Sequence, residues 1–457
     1  MNVAQHNDSQ PADLVVIGGG LAGLTTAALA ARAGLKTTVL ERSSRLGGRG
    51  GTTELNDVRL NLGPHALYCG GDAFRIFREL NIPFTGGFPA SVGRYFRLDG
   101  RLYRAPSGLA GLLSSRLLSW REKFRLLGFF RELPQLDARP FDEVSLELWL
   151  TERFGRGNLT ALLRTLLRVS TYADDWRRLS AGAALDQLRI ALAANVWYLD
   201  GGWQTLVDGL RDDATRRGAE IRCSAPARHV RNCAGRVTVD LADGSYIEAR
   251  AAVVAVEPTA ACTLLDVTAD ETLGRWNESR IPVRAACLDV ALRRLPRPDC
   301  KVVFDLDRPL YYSLHSHSAK LGPDGTAVLH VAKYLDEYQA QDARMIEAEL
   351  ESSLDALQPG WRNEITARRY LPSMLVAGAL PTPDHGGLAG RPQVAVSGRP
   401  GIYLAGDWVG SRGMLADASA ASAEEAVRLV LQHLSERRTS GHNHREQTYA
   451  SRIHVAG

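Results

Sequence analysis

Two hydrophobic periods alternate along the chain. Residues 14–17 and 37–40 are short apolar runs rich in β-branched side chains, and an alanine-rich stretch, 21–33, lies between them. Such runs predict buried parallel strands, and the stretch between them predicts a helix that Gly34 closes. The pattern returns after residue 200, with a helix to Arg217, a strand at 220–223 and a hairpin of 237–241 with 246–249 around Asp243-Gly244. A fully apolar strand at 251–256 follows. Between the two regions the period changes to three and four residues. Leu109, Leu113, Leu117, Trp120, Phe124, Leu127 and Phe130 form one stripe, predicting an amphipathic helix over 109–133. Further helices are predicted at 146–154, 159–169 and 181–194, and a hairpin at 96–103 turns on Asp99-Gly100. Residues 281–380 mix strand-like segments, 302–306 and 327–331, with a helix at 345–357.

The first strand–helix–strand unit carries chemistry. Gly18, Gly20 and Gly23 stand at GxGxxG spacing between strand and helix, and Glu41 ends the second strand. Gly18 permits the tight turn, Gly20 lets backbone approach a pyrophosphate, and Gly23 lets helix and strand pack closely. The first N–H groups of the helix, at Leu21 and Ala22, face the phosphates. Glu41 suits a ribose and disfavours a 2′-phosphate, so the choice lies between FAD and NAD. Arg42 opens a second glycine loop, RSSRLGGRGG, in which Gly47 and Gly48 allow close backbone approach and Arg49 supplies a fixed cation.

Composition narrows the partners. A net charge of +4 over 457 residues calls for no nucleic acid, and no nucleic-acid-binding motif is present. The six cysteines are scattered without CxxC, which suits reduced thiols in a cytosol and predicts no metal site. No stretch is long and apolar enough to span a membrane. The excess of Arg and Lys over Glu in 109–133 nevertheless suits peripheral contact with an anionic bilayer. Residues 1–12 and 439–457 are polar and read as disordered ends.

The second glycine loop resembles the extended FAD fingerprint of the flavin amine oxidase and phytoene desaturase superfamily, where the ribose-binding acid is followed by a loop ending in GGR. Two more segments carry the resemblance. Asn61-Leu62-Gly63-Pro64-His65 is similar to the turn that the family brings to the flavin, which implicates Gly63, Pro64 and His65. Gly406-Asp407, then Met414, Leu415 and Ala416 before a helix, resemble its C-terminal signature. There Asp407 would hold ribityl hydroxyls and the helix N-terminus would face the N1/O2 edge of the flavin. The usual EGAxxSG reads instead as Asp417 to Ala423. The family also implies a backbone contact to adenine near Val230.

The resemblance implies an α/β fold: a discontinuous Rossmann-like FAD-binding domain (13–103, 201–280 and 386–438) interleaved with an α+β substrate domain (104–200 and 281–385). FAD is expected to be bound non-covalently, because no cysteine follows Cys300 to form a thioether. The expected reaction is hydride transfer between a small apolar, isoprenoid-like substrate and flavin N5. An amine oxidase is the alternative, with Trp408 and Tyr312 as aromatic walls. A non-enzymatic protein of the Rab GDP-dissociation inhibitor type is disfavoured by the intact phosphate glycines, Glu41 and Asp407. His65, Tyr312, His315 and Trp408 are the substrate-pocket candidates. Alternation along a strand would place His315 and His317 on one face.

Overall fold

The computed structural model describes residues 12–106, 108–233, 235–336 and 342–453, with backbone alone for 438–453. Two seven-stranded sheets organise these residues. In the first, Glu220–Arg222, Thr37–Leu40, Ala12–Ile17 and Tyr246–Val254 lie side by side and parallel, with Ile402–Leu404 added parallel to Tyr246–Val254. Arg236–Leu241 and Ala227–Cys233 continue it antiparallel. Every residue of Val15–Ile17 and Thr37–Leu40 is buried, as a parallel strand covered on both faces requires. The helix Leu21–Arg32 covers one face, packed between Gln204–Arg216 and the closing helix Leu415–Ile453. Alanines at 27, 28, 30 and 31 allow that close approach. The separate hairpin return and apolar strand expected from 246 to 256 are one strand, Tyr246–Val254. Its outer half pairs within the hairpin and its inner half lies beside Ala12–Ile17.

The second sheet runs Ile365–Ala377, Val283–Leu292, Ala327–Leu335, Leu310–Leu314, Val302–Asp305, Arg94–Leu98 and Arg101–Arg104. The hairpin 94–104, expected in the first domain, therefore belongs to this sheet, and Arg94–Leu98 pairs parallel with Val302–Asp305. Local alternation predicts a hairpin but not the sheet whose edge it joins. One face of the sheet packs on the helix Ala343–Leu357, and the other turns toward the first domain.

The helical insertion has its own core around Leu126, Phe129, Trp149, Leu163 and Leu185. Its first helix is not continuous over 109–133. Gly108–Ser114 ends, and Trp120–Glu132 restarts at Ser119, whose side chain forms a reciprocal capping box with Glu122. That restart shifts the helical phase. Leu112, Leu117, Leu126 and Phe129 face the core, while Leu109, Trp120 and Phe124 of the expected stripe stand 58%, 61% and 67% exposed. No helix among the described residues is long and apolar enough to cross a membrane. The closing helix continues to Ile453, beyond the boundary at 438 where a disordered tail was expected. No proline interrupts that stretch. The expected disordered ends otherwise fall at 1–11 and 454–457, outside the described residues.

Candidate functional site

A cavity of about 980 Å³ runs along the C-terminal ends of the parallel strands and across to the second sheet. Two glycine turns frame its middle. A Cβ on Gly23 would stand 1.8 Å from the carbonyl oxygen of Gly18, so helix and turn touch there. A Cβ on Gly20 would meet no heavy atom nearer than the Gly47 carbonyl oxygen at 3.9 Å, and the space it would enter belongs to the cavity. Gly48 faces it from the other loop, 3.6 Å from the Gly20 Cα in its Cβ direction. The paired glycines and the free N-terminus of the helix at Leu21 and Ala22 form a cradle that fits a pyrophosphate. Gly18 and Gly20 line the cavity with them, whereas Gly23 serves packing only.

At one end Glu41, Arg42 and Ser43 meet Ala225, Ala227, Arg228 and His229. One Glu41 oxygen accepts from the Gly19 N–H at 2.6 Å and the other from Ser43 N–H at 2.8 Å, which ties the acid to the glycine turn it serves. Val230 does not reach this end. It is 1% exposed and faces the core of the first sheet. A register shift between Ala227 and His229 brings those neighbours to the wall instead.

Arg49 and Asp407 differ from their expected parts. They bind each other: both Arg49 terminal nitrogens donate to the two Asp407 oxygens, at 2.7 and 2.6 Å. Arg49 also donates to the Val376 carbonyl, and Asp407 accepts from Gly378 N–H at 2.8 Å. Burial alone would raise the Asp407 pKa, but the adjacent guanidinium overrides it and holds the carboxyl below its usual range. The pair joins the second glycine loop and the Gly406-Asp407 segment of the first domain to the end of the strand Ile365–Ala377 in the second. Both residues, with Gly406, still line the cavity.

The other end of the cavity holds the candidate reacting centre. Pro64, His65, Ala66 and Leu62 come from the predicted turn, with Leu415 and Ala416 from the closing helix. Gly63 and Met414 do not line the wall. A Cβ on Gly63 would lie 2.4 Å from the end of Met374, and Met414 is buried beside Ala183 and Leu388. The His65 ring nitrogens lie 3.2 Å from the Gly63 and Arg49 carbonyl oxygens. Its edge meets Trp203 at 4.9 Å between centroids. Burial lowers the His65 pKa and favours the neutral ring.

Of the other pocket candidates, Trp408 lines the cavity but is fully buried. Its indole N–H donates to the Val256 carbonyl and its ring stacks on Trp276. Tyr312 is not in the wall. It faces the helix-covered side of its sheet, where its hydroxyl donates to the Cys300 carbonyl and accepts from Gln358. Strand alternation turns Tyr311, not Tyr312, to the opposite face, beside Tyr172, Tyr198 and Tyr334. His315 is also behind the wall, stacked on Tyr198 at 3.9 Å. It lies with His317 in a short 3₁₀ turn rather than on a strand, so His315 is buried and His317 exposed.

Sequence reasoning missed Tyr68, Tyr172, Trp203 and Met374, all of which line this end. No local pattern marks them, because they come from four separate segments that meet only in the fold. Among the described residues, one group has metal-ligand proximity: Cys287, Asp289 and His330, all buried. Asp289 already accepts from His330 at 2.6 Å and from Arg369 at 2.5 Å, an ion-pair arrangement in which the guanidinium balances the carboxylate.

Known proteins resemble this chain in sequence and in fold. The profile of the family described as flavin containing amine oxidoreductase matches residues 21–281. Pseudooxynicotine dehydrogenase of a Pseudomonas species is 32% identical over 31% of this chain, and phytoene desaturase of Cercospora nicotianae is 26% identical over 51%. A putative flavin-containing monoamine oxidase of Mycobacterium tuberculosis is 29% identical over 56%. The matches span 28%, 43% and 59% of those relatives' own lengths. Among solved structures, an oxidoreductase from Methanosarcina mazei superposes with a TM-score of 0.73 at 16% identity, over 91% of this chain and 99% of its own. Cyclohexylamine oxidase from Brevibacterium oxydans does so at 0.69 and 16%, over 93% and 100%. These structural likenesses establish the fold: a Rossmann-like domain interleaved with an α+β domain.

Proposed function

The chain belongs to the flavin-containing amine oxidoreductase family, an FAD-dependent oxidoreductase, and within that family we propose that it dehydrogenates an apolar, isoprenoid-like substrate. The relatives include both a desaturase and a monoamine oxidase, so likeness alone does not choose between substrates. The lining of the reacting end carries the choice. Leu62, Ala66, Met374, Leu375, Val376 and Leu415 give it a carbon surface. The Trp203 indole N–H there has no partner, but it is a donor and cannot receive an ammonium, and the hydroxyls and Asp407 are engaged. The Tyr68 and Tyr172 hydroxyls donate to the Ser170 and Pro64 carbonyls, each at 2.9 Å, and Asp407 is neutralised by Arg49. A substrate ammonium would lose its hydration among these side chains; Glu257, which also lines the cavity, adjoins Ala255 and Val256 at the ends of the parallel strands.

Bound FAD supplies the hydride acceptor. The cavity lining contains no cysteine, consistent with non-covalent attachment. The protein contributes placement. The glycine cradle fixes the pyrophosphate, the Arg49–Asp407 pair locks the two domains across the cavity, and the carbon walls exclude water from the reacting end. His65 lies in that wall, where its neutral ring can donate its one N–H to the carbonyl of Gly63 or of Arg49.

Anaerobic mixing separates the readings. A C30 or C40 isoprenoid hydrocarbon in detergent is expected to bleach the visible flavin band, and benzylamine and putrescine are expected to leave it unchanged. Full bleaching by an amine with none by the hydrocarbons overturns the proposal.

An apolar substrate of this size resides in a bilayer, and the exposed Trp120 and Phe124 supply a docking face. Arg116, Arg121 and Arg131 are exposed on the same two-helix segment, complementary to anionic lipid. Apolar burial contributes about 25 cal/mol per Å², and each cation near anionic lipid about 1 kcal/mol. Wild type is therefore expected to co-sediment with phosphatidylserine liposomes at low salt and to be released at high salt. Trp120→Glu/Phe124→Glu should stay folded, because neither side chain belongs to the core, and should remain in the supernatant. A wild type that ignores the liposomes at low salt removes the membrane.

A further inference from the structure

Two walls of the reacting end sit in a backbone conformation that their side chains disfavour. Among the described residues, nine non-glycine residues have left-handed φ values. Seven are Asn, Asp or Ser, which take that region in turns by bonding their own backbone. The other two are Tyr172, at +58°, and Leu415, at +56°, and both line the cavity. Strained residues of this kind persist where the surroundings over-determine them, and they gather where ligands are held.

Tyr172 is over-determined by crossed bonds. It follows the helix Asn158–Thr171, and its hydroxyl reaches out to the Pro64 carbonyl. The Tyr68 hydroxyl runs in the opposite sense, from the segment that carries His65 back to the Ser170 carbonyl of the same helix. The Tyr172 ring also meets Tyr334 edge-on, with centroids 6.3 Å apart. Both ends of the side chain are thus fixed, and the ring is only half-buried because its remaining surface faces the cavity. With the hydroxyl committed, an occupant meets carbon and π surface. Glycine or asparagine would adopt this φ with less strain, so backbone preference does not explain a tyrosine here.

We propose that Tyr172 is a specificity-determining wall of the substrate site, its ring face selecting an unsaturated carbon skeleton over a saturated one. The proposal rests on the reading that substrate occupies the reacting end. It predicts a preference carried by the ring and independent of the hydroxyl.

The test uses dithionite-reduced holoenzyme, which cannot accept a hydride, and measures retention of squalene and of its saturated counterpart squalane from detergent micelles on gel filtration. Wild type should retain squalene about fivefold better, the scale of one well-placed aromatic contact. Tyr172→Phe should keep that ratio. Tyr172→Gly and Tyr172→Asn should bring it close to one, with flavin content and thermal midpoint as controls of folding. If the glycine variant does not fold, the asparagine variant decides. A ratio that survives in Tyr172→Asn, or that is lost equally in Tyr172→Phe, overturns the assignment. If wild type retains neither lipid but retains benzylamine, the isoprenoid reading falls and the wall is judged on the amine. Benzylamine held by wild type and Tyr172→Phe but lost from Tyr172→Asn supports it, and equal retention by all three overturns it.

Discussion

Gly20→Val is expected to give folded protein without flavin, and Gly23→Ala to give little folded protein at all. The two glycines are three residues apart in one motif, yet they face different surroundings. The Gly20 backbone, at φ −80° and ψ −174°, is open to any residue, and its Cβ direction enters the cavity. The Cβ of a valine there meets no protein atom closely, and the side chain enters the approach to the pyrophosphate. A Cβ on Gly23 would sit 1.8 Å from a backbone oxygen that no side-chain rotation can move. Parting the helix from the turn is expected to cost about 3 kcal/mol or more, at or above the upper end of overpacking penalties. Urea unfolding and the visible flavin spectrum measure the two effects separately. A yellow Gly20→Val protein at full occupancy would show that the cofactor lies elsewhere. Wild-type stability in Gly23→Ala would refute the packing role.

The second large effect belongs to Asp407→Asn. Removing the carboxylate charge leaves the Arg49 guanidinium without its balancing partner at the junction of three segments. Breaking a buried ion pair costs roughly 3–5 kcal/mol, and the lower part of that range applies because the Arg49 side chain keeps 34% exposure. The loss should appear in two places. Flavin should be released at a lower temperature, and the second domain should become susceptible to proteolysis near 376–378, where Arg49 and Asp407 hold the backbone. Arg49→Lys keeps the charge but cannot form both bonds at once, so an intermediate effect is expected. If Asp407→Asn keeps the wild-type flavin-release temperature and proteolysis pattern, the pair does not join the domains.

Much of the first domain was legible in the sequence because its chemistry is local. The turn between Ile17 and Leu21, the covering helix and the acid at Glu41 lie within one strand–helix–strand unit, where spacing fixes direction. Gly18, Gly20, Leu21, Ala22, Glu41 and Arg42 line the cavity for that reason, while Gly48, Arg49, Pro64, His65, Gly406, Asp407, Leu415 and Ala416, which also line it, were marked by the family resemblance. The misses share a different cause. Tyr312 and Val230 lie on strands, where one step along the chain reverses the face, and pairing and packing decide which face is inward. The amphipathic stripe at 109–133 depended on a continuous phase that the Ser119 cap interrupts.

The sequence by itself determined the dinucleotide cradle and the residues that approach the phosphates, because glycine spacing and hydrophobic period act over a few turns of chain, whereas the interleaving of two kinds of domain followed from the family resemblance. Only the tertiary structure decided that Arg49 and Asp407 bind each other, from positions 358 residues apart. It also decided which side chains enclose the reacting end. Tyr68, Tyr172, Trp203 and Met374 arrive there from a strand, a helix terminus, a domain crossover and a second sheet, and no period in the chain relates them. Their meeting is set by how the sheets and helices bury their apolar faces against one another.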